Sequence, residues 1–361
     1  MANPFTPSFG RVPPILAGRE FVLNDIEQAL ENGGGDPNLC TLYIGPRGVG
    51  KTALMQHVAQ IAGSYGWVSA STTTSPGMLE DLFEQATMAA NQFVSGEHSA
   101  RLTSIGVPAL FTAEWEYRDP DSGNWRTRMG KLLDKLAEQD IGLLMTVDEV
   151  ESGVDELIQL VMVFQHFISE GRKVALLMAG LPHRASALVS HDSVSFLRRA
   201  VHQHLGLISD EDVSLALRET VEGAGKTIDD AALLNATKAI MGFPYMMQLV
   251  GFRMWAASGE KPAITRKHVM DGAERARIDF NNGVLDATFK SLSAQDRVFL
   301  LAMLKDEGES LLVDIAERMG RKPGYARTYK ERLLQQGVIV ETDRNVVCFS
   351  MPFLREYLEA L

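Results

Sequence analysis

Cysteine is nearly absent: the 361 residues hold two, Cys40 and Cys348, with no CxxC or Cys/His spacing around either. That excludes a disulfide scaffold and a cysteine-held structural zinc, and fits a reducing compartment. Long apolar runs are missing too. None approaches the roughly 18–20 residues of a membrane span, and Met1-Ala2-Asn3-Pro4-Phe5 has neither the basic nor the apolar part of a secretory signal. The protein is therefore expected to be soluble and cytoplasmic, with no membrane partner. Bases are in deficit, 35 against 46 acids for a net charge of -11, which argues against a surface that coats nucleic acid as a whole. What is left, 45% hydrophobic and 22% charged residues, is a globular balance, and the length suits two to three domains.

The negative charge is uneven. Residues 285–361 carry 11 lysines and arginines against 12 acids, so nearly all the excess lies upstream. From Arg318 to Arg332 there are six bases and one acid, Glu331. Contact with a phosphate backbone is to be sought there.

Three apolar runs mark buried strands. Leu39–Ile44 meets the glycine-rich Gly45–Thr52, after which Leu54, Val58 and Ile61 recur near helical spacing. Ile141–Val147 ends at Asp148-Glu149 and precedes an amphipathic helix, 154–169. Lys173–Met178 stops at Ala179-Gly180-Leu181-Pro182. Runs of this length alternating with helices are expected of a parallel sheet covered on both faces, so residues 1–205 read as an α/β core of βαβ units. Within it, 104–124 suggests a β insertion around the turn signal Asp119-Pro120-Asp121-Ser122-Gly123. Residues 206–283 read as helices, one capped by Ser209, another opened by Ile228-Asp229-Asp230, with a break at Gly242-Phe243-Pro244. Met241, Met246, Met247 and Met254 around that break read as core or a soft interdomain surface. Residues 284–361 give helices over 293–304, 311–319 and 324–335. A hairpin follows, formed by 338–341, a turn, and 346–349. Three helices then a hairpin is winged-helix order.

Gly45-Pro46-Arg47-Gly48-Val49-Gly50-Lys51-Thr52 spells G-x-x-x-x-G-K-T in its required context, after a strand and opening a helix. Glycines let the backbone wrap a triphosphate with its amide hydrogens inward, and the helix N-terminus adds positive potential. Lys51 would reach the β- and γ-phosphates, Thr52 would ligate Mg²⁺, and the cradle would extend to Ala53. The plainer alternative is a glycine-rich turn that binds nothing. Asp148-Glu149 supplies the natural second half of such a site. Asp148 would support the magnesium shell, and Glu149 would orient or deprotonate a water. Taken alone, that pair also fits a solvated helix start.

With Asn3-Pro4-Phe5 and Pro13-Pro14-Ile15-Leu16-Ala17-Gly18-Arg19-Glu20, the chain resembles AAA+ and STAND-type P-loop ATPases, especially those related to the replication-initiator ATPases. The likeness also takes in Ala179-Gly180-Leu181-Pro182, Gly242-Phe243-Pro244-Tyr245 and the C-terminal winged helix. It implies a P-loop core, a helical lid and a winged helix, with Leu16, Ala17 and Gly18 lining an adenine pocket and Arg19 assisting. It further implies that an arginine of Phe196-Leu197-Arg198-Arg199, with Arg199 carried as the candidate, contacts a γ-phosphate, often a neighbour's, in an ATP-dependent homo-oligomer. Two departures stand out. Met178, Ala179 and Gly180 occupy the place of a polar γ-phosphate sensor, and Gly242-Phe243-Pro244-Tyr245 replaces a lid arginine in the manner of STAND switches. Binding of ATP with Mg²⁺ is expected to be secure and hydrolysis to ADP slow.

The third C-terminal helix, with Arg321 and Lys322 before it and Arg327 and Lys330 within it, is the expected DNA-reading element. Arg344 at the wing tip would be a supporting phosphate contact. The opposing reading is that winged helices also bind proteins and that basic helices are often merely solvated. His183, a loop histidine without evident partners, reads as solvated. The sequence thus points to an ATP-binding, slowly hydrolysing switch that is DNA-associated, of initiator or mobile-element helper type. Alternatively, it is a STAND-like signalling ATPase whose winged helix holds an unidentified protein partner. A P-loop kinase is a remote third possibility, because nothing offers a small phosphate acceptor a site.

Overall fold

The computed structural model describes residues 2–8, 10–94 and 124–361; the β insertion expected over 104–124 lies outside them, apart from Asn124. The core runs α1 (Glu20–Asn32), β1 (Cys40–Ile44), α2 (Lys51–Ile61), β2 (Trp67–Thr73), α3 (Met78–Val94), α4 (Trp125–Ala137), β3 (Gly142–Asp148), α5 (Asp155–Ser169), β4 (Val174–Gly180), α6 (Pro182–Val189) and β5 (Val201–His204). All five strands are parallel, in the order β2-β3-β4-β1-β5. The apolar runs became β1, β3 and β4 because these strands are interior and buried on both faces. Their carboxyl ends lie together, where β1 passes into the glycine loop and β3 ends at Asp148.

A helical region follows: α7 (Asp210–Gly223), β6 (Thr227–Ile228), α8 (Asp230–Ile240), α9 (Pro244–Ser258), β7 (Ala263–Ile264) and α10 (Arg266–Phe280). Its helix starts are written in the sequence. The Ser209 hydroxyl accepts from the Asp212 amide at 3.1 Å, and Asp229 accepts from the Ala232 amide at 2.7 Å, each satisfying an otherwise orphaned donor. Pro244 opens α9 at a position where its missing N–H costs nothing. Met246, Met247 and Met254 are core, whereas Met241 is exposed. The N-terminal arm is strapped onto α9. Phe5 is fully buried against Gly251, the Asn3 amide donates to the Phe252 carbonyl at 3.0 Å, and the Thr6 N–H donates to Gln248 at 3.0 Å.

The C-terminal region holds α11 (Asp286–Ser291), α12 (Ala294–Met303), β8 (Ser310–Leu311), α13 (Leu312–Arg318), α14 (Pro323–Gln335), β9 (Ile339–Asp343), β10 (Val346–Phe349) and α15 (Leu354–Glu359), with sheet order β8-β10-β9. From α12 to β10 this is the winged-helix order. A π-helical turn at Asn281–Leu285 joins α10 to α11 without a break, so the join expected at 283/284 falls within continuous helix.

Candidate functional site

The glycine loop bends where the backbone needs freedom from a side chain: Gly48 and Gly50 take φ of +80° and +89°. Gly48 also admits Phe243 of the Gly242-Phe243-Pro244 break, since a Cβ there would lie 2.6 Å from the Phe243 ring. The sequence showed the Gly-Phe-Pro break but not that its aromatic residue is seated on the phosphate loop. Lys51 opens α2 and folds back, donating to the carbonyls of Gly45 at 2.8 Å and Pro46 at 2.7 Å. Burial pulls its ammonium down to about 8, against the opposing pull of Asp148. A cation held by loop carbonyls and short of solvent suits an incoming polyanion.

Thr52, one residue into α2, donates its hydroxyl to Asp148 Oδ2 at 2.5 Å, so α2 and the end of β3 bring the two expected magnesium ligands together. A hydroxyl and one carboxylate, both hard oxygen donors, fit Mg²⁺, which keeps most of its shell for phosphate and water. No cluster of three or more His, Cys, Asp or Glu able to hold a metal occurs among the described residues. Glu149 is exposed and adopts φ +52°, a left-handed conformation unfavourable for a residue with a Cβ. Its amide donates to Asp148 Oδ1 at 2.8 Å. The turn is pinned by the next residue: the Val150 N–H donates to the Ala179 carbonyl at 2.8 Å, and the Val150 side chain leaves no room for a Cβ at Gly180. Met178 and Ala179 are fully buried, so β4 offers no polar side chain to the site from those positions.

Leu16, Ala17 and Gly18 lead into α1 beside α7, where a Cβ on Gly18 would meet Ile208 at 2.9 Å. Arg19 ties three segments together, donating to the carbonyls of Gly18 at 3.3 Å, Val49 at 3.3 Å and Gly206 at 2.6 Å. Pro46, Arg47 and Val49 complete the loop, Arg47 exposed and Val49 buried. Arg199 is not brought to the loop. Val201 is in register with Thr41, four residues before Gly45, which leaves about 13 Å of strand between them. Arg199 lies further back still, exposed like Arg198. Any contact with a phosphate would have to be made on another chain.

On the C-terminal unit, Arg321, Lys322, Arg327 and Arg344 are exposed as expected. Lys330 is a correction. It is buried and donates to Glu341 of β9 at 2.7 Å, because its place on α14 faces the wing and not solvent. The far end of α14 leans on the core, and the turn at Gly337 meets the P-loop: a Cβ there would lie 3.2 Å from Pro46. His183 corrects another expectation. It is half-buried, facing the backbone of Gln335, and burial lowers its imidazole's proton affinity.

A family model described as a domain of unknown function (DUF8462) matches residues 282–358. No curated protein matches the chain. Among solved structures, the Walker-type ATPase of Pyrococcus abyssi is similar at a TM-score of 0.66 and 15% identity, covering 94% of this chain and 95% of that one. The ORC2 protein of Aeropyrum pernix, solved as ADPNP-ADP complexes, gives a TM-score of 0.65 and 13% identity over 98% of this chain and 96% of that one. Cdc6p from Pyrobaculum aerophilum gives 0.51 and 14%, covering 98% and 96%. The chain shares its fold with these proteins along nearly its whole length, and within it the five-stranded parallel sheet with flanking helices is that of a P-loop core.

Proposed function

We propose that the chain is an ATP-binding switch that hydrolyses slowly, built of a core (1–205), a lid (206–283) and a winged-helix unit (284–361). The observation that carries this reading is the contact between Gly337 and Pro46: the C-terminal unit rests directly on the loop that would hold the phosphates. The backbone of Gly45–Ala53 would cradle the phosphate tail, Lys51 would turn from its loop carbonyls toward the β- and γ-oxygens, and Leu16 and Gly18 would flank the base. Thr52 and Asp148 would hold Mg²⁺, which when bound neutralises charge on the phosphates. Glu149 would accept a proton from the attacking water, and Arg199 would serve a neighbouring chain in an ATP-dependent homo-oligomer. The absence of a polar side chain at Met178 and Ala179 supports slow turnover, because nothing at those positions stabilises charge on the γ-phosphate. Both the soluble, cytoplasmic setting and DNA as the partner belong to this reading, with Arg321, Lys322, Arg327 and Arg344 on phosphates.

Exposed Val298, Leu301, Leu311 and Val313 on the C-terminal unit favour a second reading, in which that unit binds a protein. Thermal melts with Mg-ATP test the core: saturation at about 100 times Kd stabilises by about 2.7 kcal/mol, and Lys51→Ala removes this. An unchanged shift in the variant would refute the site. A salt titration of duplex binding, with and without ATP, decides between DNA and protein.

A further inference from the structure

A cavity of about 230 Å³ opens between the P-loop and the C-terminal unit. Arg47 comes to it from the loop, His183 and Arg184 from α6, and Arg332 from α14, with the polar Thr288 and Gln336 beside them. Among the described residues no carboxylate lines it, in a chain whose acids outnumber its lysines and arginines 46 to 35. Three guanidiniums gathered around one space repel one another unless an anion sits among them.

These cations are incompletely used. Among the described residues Arg184 pairs with Glu151, at 3.4 Å, while Arg332 spends one nitrogen on Asp296, at 3.0 Å, and lies over the Tyr329 ring. Among the described residues the buried His183 Nδ1 has no hydrogen-bond partner. Planar guanidinium forks with free N–H groups match the oxygens of a phosphoryl group. We propose that this cavity is a second anion site, taking a phosphoryl dianion either as free orthophosphate or as the end of a small phosphate ester. Only Arg47 is shared with the proposed nucleotide site, so the inference does not depend on that reading. Because its walls come from the core and from the C-terminal unit, the bound anion clamps the two together.

Calorimetry on the full chain carrying Lys51→Ala tests the site apart from the P-loop, with orthophosphate and glycerol phosphate as probes. One anion per chain is expected to bind. Adding Arg184→Gln should weaken it at least about tenfold, the effect of one lost charge-assisted hydrogen bond. Arg332→Lys, which keeps a cation for Asp296, should weaken it as well. Tighter binding of glycerol phosphate assigns the site to an ester, and tighter binding of orthophosphate assigns it to the free ion. Absence of both from the Lys51→Ala chain, or binding indifferent to Arg184→Gln, overturns the proposal. In the otherwise unaltered chain Arg184→Gln should leave Mg-ATP affinity unchanged. Loss of ATP binding there would make the cavity part of the nucleotide site and overturn it equally.

Discussion

Lys51 holds its proton weakly while it is buried and donates to the carbonyls of Gly45 and Pro46. Phosphate oxygens beside the ammonium would restore its ordinary affinity for the proton, so above pH 8 ATP binding must take a proton up. Affinity is then expected to fall as pH rises through about 8. Calorimetry of ATP binding at pH 8.5–9 in buffers of differing ionisation heat should show proton uptake; equal heats in all buffers would count against it. Glu149 makes a second case at this scale. Its left-handed backbone costs about 1–2 kcal/mol relative to glycine's ease there, partly offset by glycine's own entropy. Glu149→Gly should therefore raise stability by about 0.5–1 kcal/mol while abolishing hydrolysis. Glu149→Gln should keep ATP binding and lower turnover, and a turnover equal to the parent's would remove Glu149 from its role.

Among the elements, those that could be read in advance were those whose environment leaves a periodic trace. Strands β1, β3 and β4 are sandwiched and so wholly apolar, and the α7 and α8 starts carry their caps in the chain. Strand β2 is an edge strand whose outward positions are Ser and Thr, and β5 is the four-residue edge Val201–His204 with no buried position. Neither leaves an apolar run. The glycine loop's course was legible because its spelling is dictated by local geometry, whereas the Phe243 seat on Gly48 and the Val150 tuck against Gly180 join residues remote in the chain. On α14 the base at 330 is chemically indistinguishable from its neighbours, and only packing against β9 reveals that it serves the fold. Lys330→Ala is thus expected to cost about 0.5–1.5 kcal/mol in chemical denaturation, the range for one lost hydrogen bond, because Glu341 is left exposed to water. Lys322→Ala with Arg327→Ala should leave stability intact and, where DNA binds, reduce the salt slope of binding by about 2. A double variant with an unaltered slope would clear this face of phosphate contact.

Across the whole molecule, core and C-terminal unit meet at a glycine. Gly337 has φ +67°, and a Cβ there would lie 3.2 Å from Pro46. Gly337→Val should wedge the unit away from the loop. Release of a fluorescent ADP analogue is expected to quicken, and limited proteolysis within 281–293 to become easier. A variant matching the parent in both would show that the contact does not govern access.

Pro46 and Gly337 are separated by most of the polypeptide, and that has a consequence for synthesis. Domains fold as units, N-terminal first, while the ribosome is still at work. The glycine loop and its sheet thus emerge uncovered well before the turn that rests on them has been made. A nascent chain could load its first nucleotide with nothing standing in the way, and every later exchange would have to displace a cap that the first never met.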